Sequence, residues 1–107
     1  MTWTTKVKLT RPSTDVDWYA EPTEEKFFRN SEDATDEFKA HGAAKRISNS
    51  ISISDNELEV IKTFIWQDET SHDEYRQFAS FKNFIRKRDL HNRTNNITLE
   101  RLQNEET

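Results

Sequence analysis

The chain has no cysteine, a single glycine and two prolines among its 107 residues. Without cysteine there is no disulfide, no thiolate nucleophile and no Cys-based metal site. With Gly42 alone, the glycine-rich loops that cradle phosphates or dinucleotides are excluded. No apolar run approaches the length of a membrane span, and the opening Met-Thr-Trp-Thr-Thr-Lys lacks the hydrophobic stretch of a signal peptide. A cytoplasmic location with no membrane partner is therefore the expectation. Large apolar residues are also scarce: Leu, Ile, Val and Phe number 22, near the level at which disorder sets in. Against disorder stand a net charge of only −4 and twelve aromatic residues that fall in periodic segments.

The length is that of one domain, 1–107. A domain this small leaves much of its surface wet, so an aromatic core alone is marginal. Burying one sheet face against a second copy relieves that, and a homodimer through the sheet face is expected.

Residues 2–10 alternate, with Trp3, Thr5, Val7 and Leu9 on one face and Thr or Lys on the other, the pattern of a half-buried strand ended by Arg11-Pro12. Residues 13–31 read as a long connection, in which Thr23 could cap a turn carrying Phe27 and Phe28. A first helix is expected from Glu32 to His41, capped by Ser31 and stopped by Gly42; whether 23–41 is one helix or two stays open. Arg46–Ser54 alternates isoleucine with small polar residues, Asp55-Asn56 suits a two-residue turn, and Glu57–Trp66 runs back with apolar residues on both faces.

Ser71 with Glu74 forms a capping box that opens one long helix reaching about Asn92, with Tyr75, Phe78, Ala79, Phe81, Phe84 and Ile85 as its apolar stripe. Ile97-Thr98-Leu99 reads as a last short strand, and 103–107 as a frayed tail. The class is α+β, with ferredoxin-like order β-α-β-β-α-β: an antiparallel four-stranded sheet with two helices on one face. Trp3, Val7, Leu9, Ile47, Ile51, Ile53, Ile97 and Leu99 are assigned to the helix side.

No catalytic triad or paired carboxylate stands out, and no catalytic residue, metal or cofactor is expected. His41, His72 and His91 lie at helix ends without convergent ligand spacing. Arg86-Lys87-Arg88 sits toward the negative end of the long helix, where cations are favoured in any case. In an acidic chain without interleaved aromatic motifs, nucleic-acid binding is not expected. Asn49 and Lys62 each break an apolar row. Either they are exposed at an edge, Lys62 snorkelling to water, or they are polar anchors in an apolar pocket.

The element order, together with the junction Thr63-Phe-Ile-Trp66-Gln-Asp-Glu-Thr-Ser-His-Asp-Glu-Tyr75-Arg-Gln-Phe78, resembles the dimeric α+β barrel superfamily, which contains antibiotic-biosynthesis-type monooxygenases. The resemblance implies two sheets packed back to back across a dimer and a pocket between sheet and helices in each subunit. Some members oxidise aromatic substrates without a cofactor; others degrade haem with an Asn, a Trp and a His. Trp66 stands where that Trp would, but the first strand has no Asn and the helix has no His near Arg76 or Gln77. The pocket candidates are Asn49, Lys62, Trp66, Trp18 and Tyr75, around a small apolar or aromatic ligand. The expected function is a non-catalytic binding or assembly role, with cofactor-independent oxygenation of a small aromatic substrate as the alternative.

Overall fold

The computed structural model describes residues 1–19 and 35–107. Among them the elements are β1 (Trp3–Thr10), α1 (Asp36–Lys45), β2 (Arg46–Ile53), β3 (Glu59–Trp66), α2 (Glu69–Gln77), α3 (Ala79–Thr94) and β4 (Thr98–Glu106). The strands form one sheet in the order β2-β3-β1-β4, and every neighbouring pair is antiparallel. β1 and β2 both oppose β3, so they run parallel to each other with β3 inserted between them, as a split βαβ unit requires. The fold is α+β with an antiparallel four-stranded sheet. It departs from β-α-β-β-α-β by one helix, because the long second helix is interrupted.

The interruption falls at Phe78, whose ψ of 137° is extended. Gln77-Phe78-Ala79-Ser80 contains neither glycine nor proline, so the break is not locally encoded. Its gain is tertiary. The Phe78 ring lies 5.6 Å from Phe38 and 5.3 Å from His41, both on α1, while Tyr75 and Phe81 on either side of the break meet edge to face at 5.1 Å. Aromatic contacts of this kind contribute about 0.5–1.5 kcal/mol per pair, enough to offset a backbone hydrogen bond worth about 1 kcal/mol.

The helix starts also differ from the expectation. Asp68, not Ser71, caps α2: its carboxylate accepts the Ser71 N–H at 2.7 Å, and hydrogen bonding to the Ser71 hydroxyl first and to its N–H second holds the carboxyl below its ordinary range. Thr35 caps α1 by accepting the Phe38 N–H at 3.2 Å. Gly42 does not stop α1, which continues to Lys45 before Arg46 turns directly into β2. The Ser31 cap, the Glu32 start and the Thr23 turn lie outside the described residues.

The hairpin turn is longer than two residues. Asn56 Oδ1 accepts the Leu58 N–H at 3.0 Å and the Ser54 hydroxyl at 2.7 Å, and Glu57 carries the positive φ of 60°. β2 places Asn49, Ile51 and Ile53 opposite Phe64, Lys62 and Val60. A register shift between Arg46 and Ser48 removes Ile47 from the expected face: it is 59 % exposed, and Arg46 stands opposite Trp66. Ile53, at the end of the edge strand, is 48 % exposed.

The tail is not frayed. β4 runs to Glu106 and pairs with β1 along its whole length, with a bulge between Lys6 and Val7, and the Thr107 N–H donates to the Thr2 carbonyl at 2.9 Å. β1 needs a second partner to satisfy its backbone groups, and a polar strand supplies them as well as an apolar one.

The core is an aromatic cluster: Phe38, Trp66 and Tyr75 are buried together, and Trp3, Phe64, Phe78 and Phe81 pack around them. After β1 the chain turns around Arg11 and reaches α3. Arg11 donates to the carbonyls of Glu57 and Val16 and lies 4.8 Å over the Trp18 ring. Tyr19 packs against Phe84 and His91 of α3.

Candidate functional site

The helix-facing side of the sheet and the helices enclose a cavity of about 430 Å³. Its floor is the sheet: Thr5, Val7 and Leu9 from β1, Lys62, Phe64 and Trp66 from β3, and Leu99 and Arg101 from β4. α2 contributes His72, Tyr75 and Arg76, and α3 contributes Phe81, Phe84, Ile85, Arg88 and Asp89. The strand period of two puts every other residue of β3 on this floor, so Trp66 and Lys62 stand roughly 13 Å apart along the strand.

The Trp66 end is aromatic. Phe38 stacks on Tyr75 at 4.6 Å, and Tyr75 meets Trp66 at the same separation. The Arg46 guanidinium lies 5.6 Å over the Trp66 ring and 5.9 Å over Phe64, and it donates to the Tyr75 oxygen. Burial pushes the Tyr75 phenol far above its ordinary range, so it stays protonated. His72, beside Trp66 and Trp3, has its pKa lowered chiefly by burial. Its Nδ1 is 3.1 Å from Asp73 Oδ1, and the neutral ring is assigned the Nδ1–H tautomer that donates there.

The middle of the cavity is cationic. Lys62 is 4 % exposed, in the row Ile51, Lys62, Val7, Arg101 that crosses the sheet. Burial first, and the charge of Arg88 second, bring its ammonium down to about 8. Arg88 is itself depressed by burial, is paired with Asp89 at 3.1 Å, and feels the guanidinium groups of Arg101 and Arg76. Arg46, Lys62, Arg76, Arg88 and Arg101 thus line one cavity, and among its described lining residues Asp89 is the sole carboxylate. A chain of net charge −4 has collected five cations around one hole.

Of the residues singled out in the sequence, Lys62, Trp66 and Tyr75 line this cavity. Asn49 is half-buried on the edge strand opposite Phe64, beside the cavity wall and not on it. Trp18 is in the loop under Arg11, away from it. None of the four arginines was read as a cavity residue; Arg88 was singled out only within the basic cluster at the end of the helix. Arg88 continues the stripe of Phe81, Phe84 and Ile85 at helical spacing, and Arg101 follows Leu99 by two on the same strand face, so both carried a periodic signal. Arg46 reaches the cavity only through the bulge in β2, which no spacing announces. Among the described residues no group of three His, Cys, Asp or Glu side chains converges as a metal site, and no helix is long and apolar enough to cross a membrane.

No protein-family profile matches the chain, and no curated protein does. Solved structures do resemble it. A dimeric ferredoxin-like protein from an uncultured marine organism matches with TM-score 0.53 at 12 % identity, over 95 % of this chain and 94 % of that one. SnoaB from Streptomyces nogalater, a cofactor-independent oxygenase, matches with TM-score 0.52 at 12 % identity, over 99 % and 95 %. A conserved protein of unknown function from Bacteroides thetaiotaomicron VPI-5482, described as a possible oxidoreductase, matches with TM-score 0.52 at 12 % identity, over 95 % and 96 %. At this identity the likeness is one of fold. The resemblance read in the sequence therefore holds at that level: the chain has a ferredoxin-like α+β fold.

Proposed function

We propose that this protein binds a small aromatic molecule in the cavity between sheet and helices, as one half of a homodimer. The cavity carries the reading: about 430 Å³ walled by Phe38, Phe64, Trp66, Tyr75, Phe81 and Phe84 lies in the size range of small-molecule sites and offers ring faces and edges on several sides. The far face of the sheet supports the dimer. There Ile61 and Ile65 stand among Ser48, Ser52, Thr4 and Lys8, an apolar pair among short polar side chains on which a second sheet can pack. Native mass spectrometry of gently purified protein tests both halves. A dimer that retains a small molecule supports the proposal; a monomer sinks the dimer, and failure to bind any of a panel of aromatic compounds sinks the pocket.

A second reading, cofactor-independent oxygenation of the bound aromatic, is favoured by Lys62. An amine titrating near 8 at the cavity floor is partly neutral at mildly alkaline pH and can take a proton from an acidic substrate. The SnoaB likeness agrees with it only as an analogy of fold. Dioxygen uptake with a panel of phenols and hydroquinones, without flavin or metal, is expected for wild type and lost in Lys62→Met. Uptake unchanged in that variant would rule the role out.

A further inference from the structure

We propose that the ligand of this cavity is an anion: an aromatic molecule whose carboxylate, sulfonate or phenolate group seats among Lys62, Arg88 and Arg101 while its rings lie toward Trp66 and Tyr75. The proposal deepens the pocket reading and rests on it.

Four observations combine. Lys62 is in the central part of the sheet, flanked by Val7 and Ile51, and at 4 % exposure it cannot reach bulk water. Arg88 enters from α3 on the inward stripe, and Arg101 belongs to the same cross-sheet row as Lys62. The cations repel one another: Arg88 acts on Lys62, and Arg76 and Arg101 act on both Arg88 and His72. The one carboxylate among the described lining residues, Asp89, is paired with Arg88 at 3.1 Å, and both Asp89 and Arg101 are exposed.

Cations lining one cavity favour an anion there over a neutral molecule of the same shape. Guanidinium groups suit planar oxyanions, which they bind through paired N–H donors, and an ammonium adds a point charge from below. The aromatic end fixes the other half of the ligand. The spacing of roughly 13 Å between Trp66 and Lys62 along β3 accommodates a ring system of two or three fused rings bearing an acidic substituent.

The test is a fluorescence titration with two probes of nearly equal shape, the anionic 8-anilinonaphthalene-1-sulfonate and the neutral N-phenyl-1-naphthylamine. Wild type is expected to bind the sulfonate saturably, one per chain, at least tenfold more tightly than the neutral amine. Lys62→Met and, separately, Arg88→Met are expected to weaken the sulfonate at least tenfold and to leave the neutral probe within about twofold. The thermal transition of each variant confirms that it is folded, so the Arg88 variant serves if the Lys62 variant fails to fold. Equal affinity for both probes in wild type, or equal weakening of both in the variants, overturns the anion assignment while leaving an apolar pocket standing. Binding of neither probe overturns the pocket reading as well.

Discussion

Lys62 provides the sharpest energetic test. Its ammonium is held at about 8 against an ordinary value of 10.5, chiefly by burial. A depression of that size means the charged form is about 3 kcal/mol less favourable in the folded protein than in the unfolded chain. The unfolded chain binds more protons between the two values, so the penalty is fully present below about pH 8, shrinks as the pH rises, and is gone above about 10.5. Lys62→Met keeps the length and apolar body of the side chain and removes the charge. In ligand-free protein at neutral pH it should raise stability by about 3 kcal/mol, on the order of 10 °C in a domain this size, and the advantage over wild type should vanish by pH 10.5. Chemical denaturation of both proteins across that pH range measures the difference directly. A methionine variant less stable than wild type at neutral pH, or an advantage that does not change with pH, would refute the view that Lys62 is a buried charge held against its preference.

Three further outcomes follow from the fold. Gly42→Ala should stabilise α1 by about 0.5–1 kcal/mol, because alanine is the better helix former and the added Cβ meets Arg46 and Tyr75 at an ordinary 3.7 Å; a denaturation midpoint below wild type would contradict this. Asp68→Ala should lower the thermal midpoint at neutral pH by removing the α2 cap. Since the Asp68 carboxyl is depressed in the fold, its contribution is present above the carboxylate range and lost as the pH falls through it, so the two proteins should converge in acid. Deleting residues 103–107 should strip one of its two partners from the start of β1, and hydrogen exchange should then show lost protection at those amides of Trp3–Lys6 that point toward β4, with the ones that point toward β3 kept; unchanged protection would mean that the end of β4 contributes nothing to the sheet.

The strands and helix faces were legible because alternation and helical spacing are strong signals: β1, β3 and the aromatic side of α2 and α3 follow the sequence pattern closely. What escaped it was set by contacts distant in sequence. The break at Phe78 answers to Phe38 and His41 on another helix, and the pairing of 103–106 answers to the open edge of β1. The displacement of Ile47 answers to a bulge. In the site, Lys62 was noticed because it interrupts an apolar row, and Trp66 and Tyr75 because aromatics at such spacing face a core. Arg88 was read only as a cation at the negative end of its helix and Arg101 not singled out, although both continue apolar stripes. A charged residue in phase with an apolar stripe deserved the same notice as Lys62.

The most direct measurement of the central claim is an NMR titration of the Lys62 side chain, with and without 8-anilinonaphthalene-1-sulfonate. In free protein the midpoint should be near 8, far from the 10.5 of an ordinary lysine. With the sulfonate bound beside it the ammonium is favoured, so the midpoint should move upward by at least one unit, roughly a tenfold linkage between proton and ligand. A midpoint near 10.5 in the free protein, or one that the sulfonate does not move, would contradict a buried cationic cavity built to hold an aromatic anion.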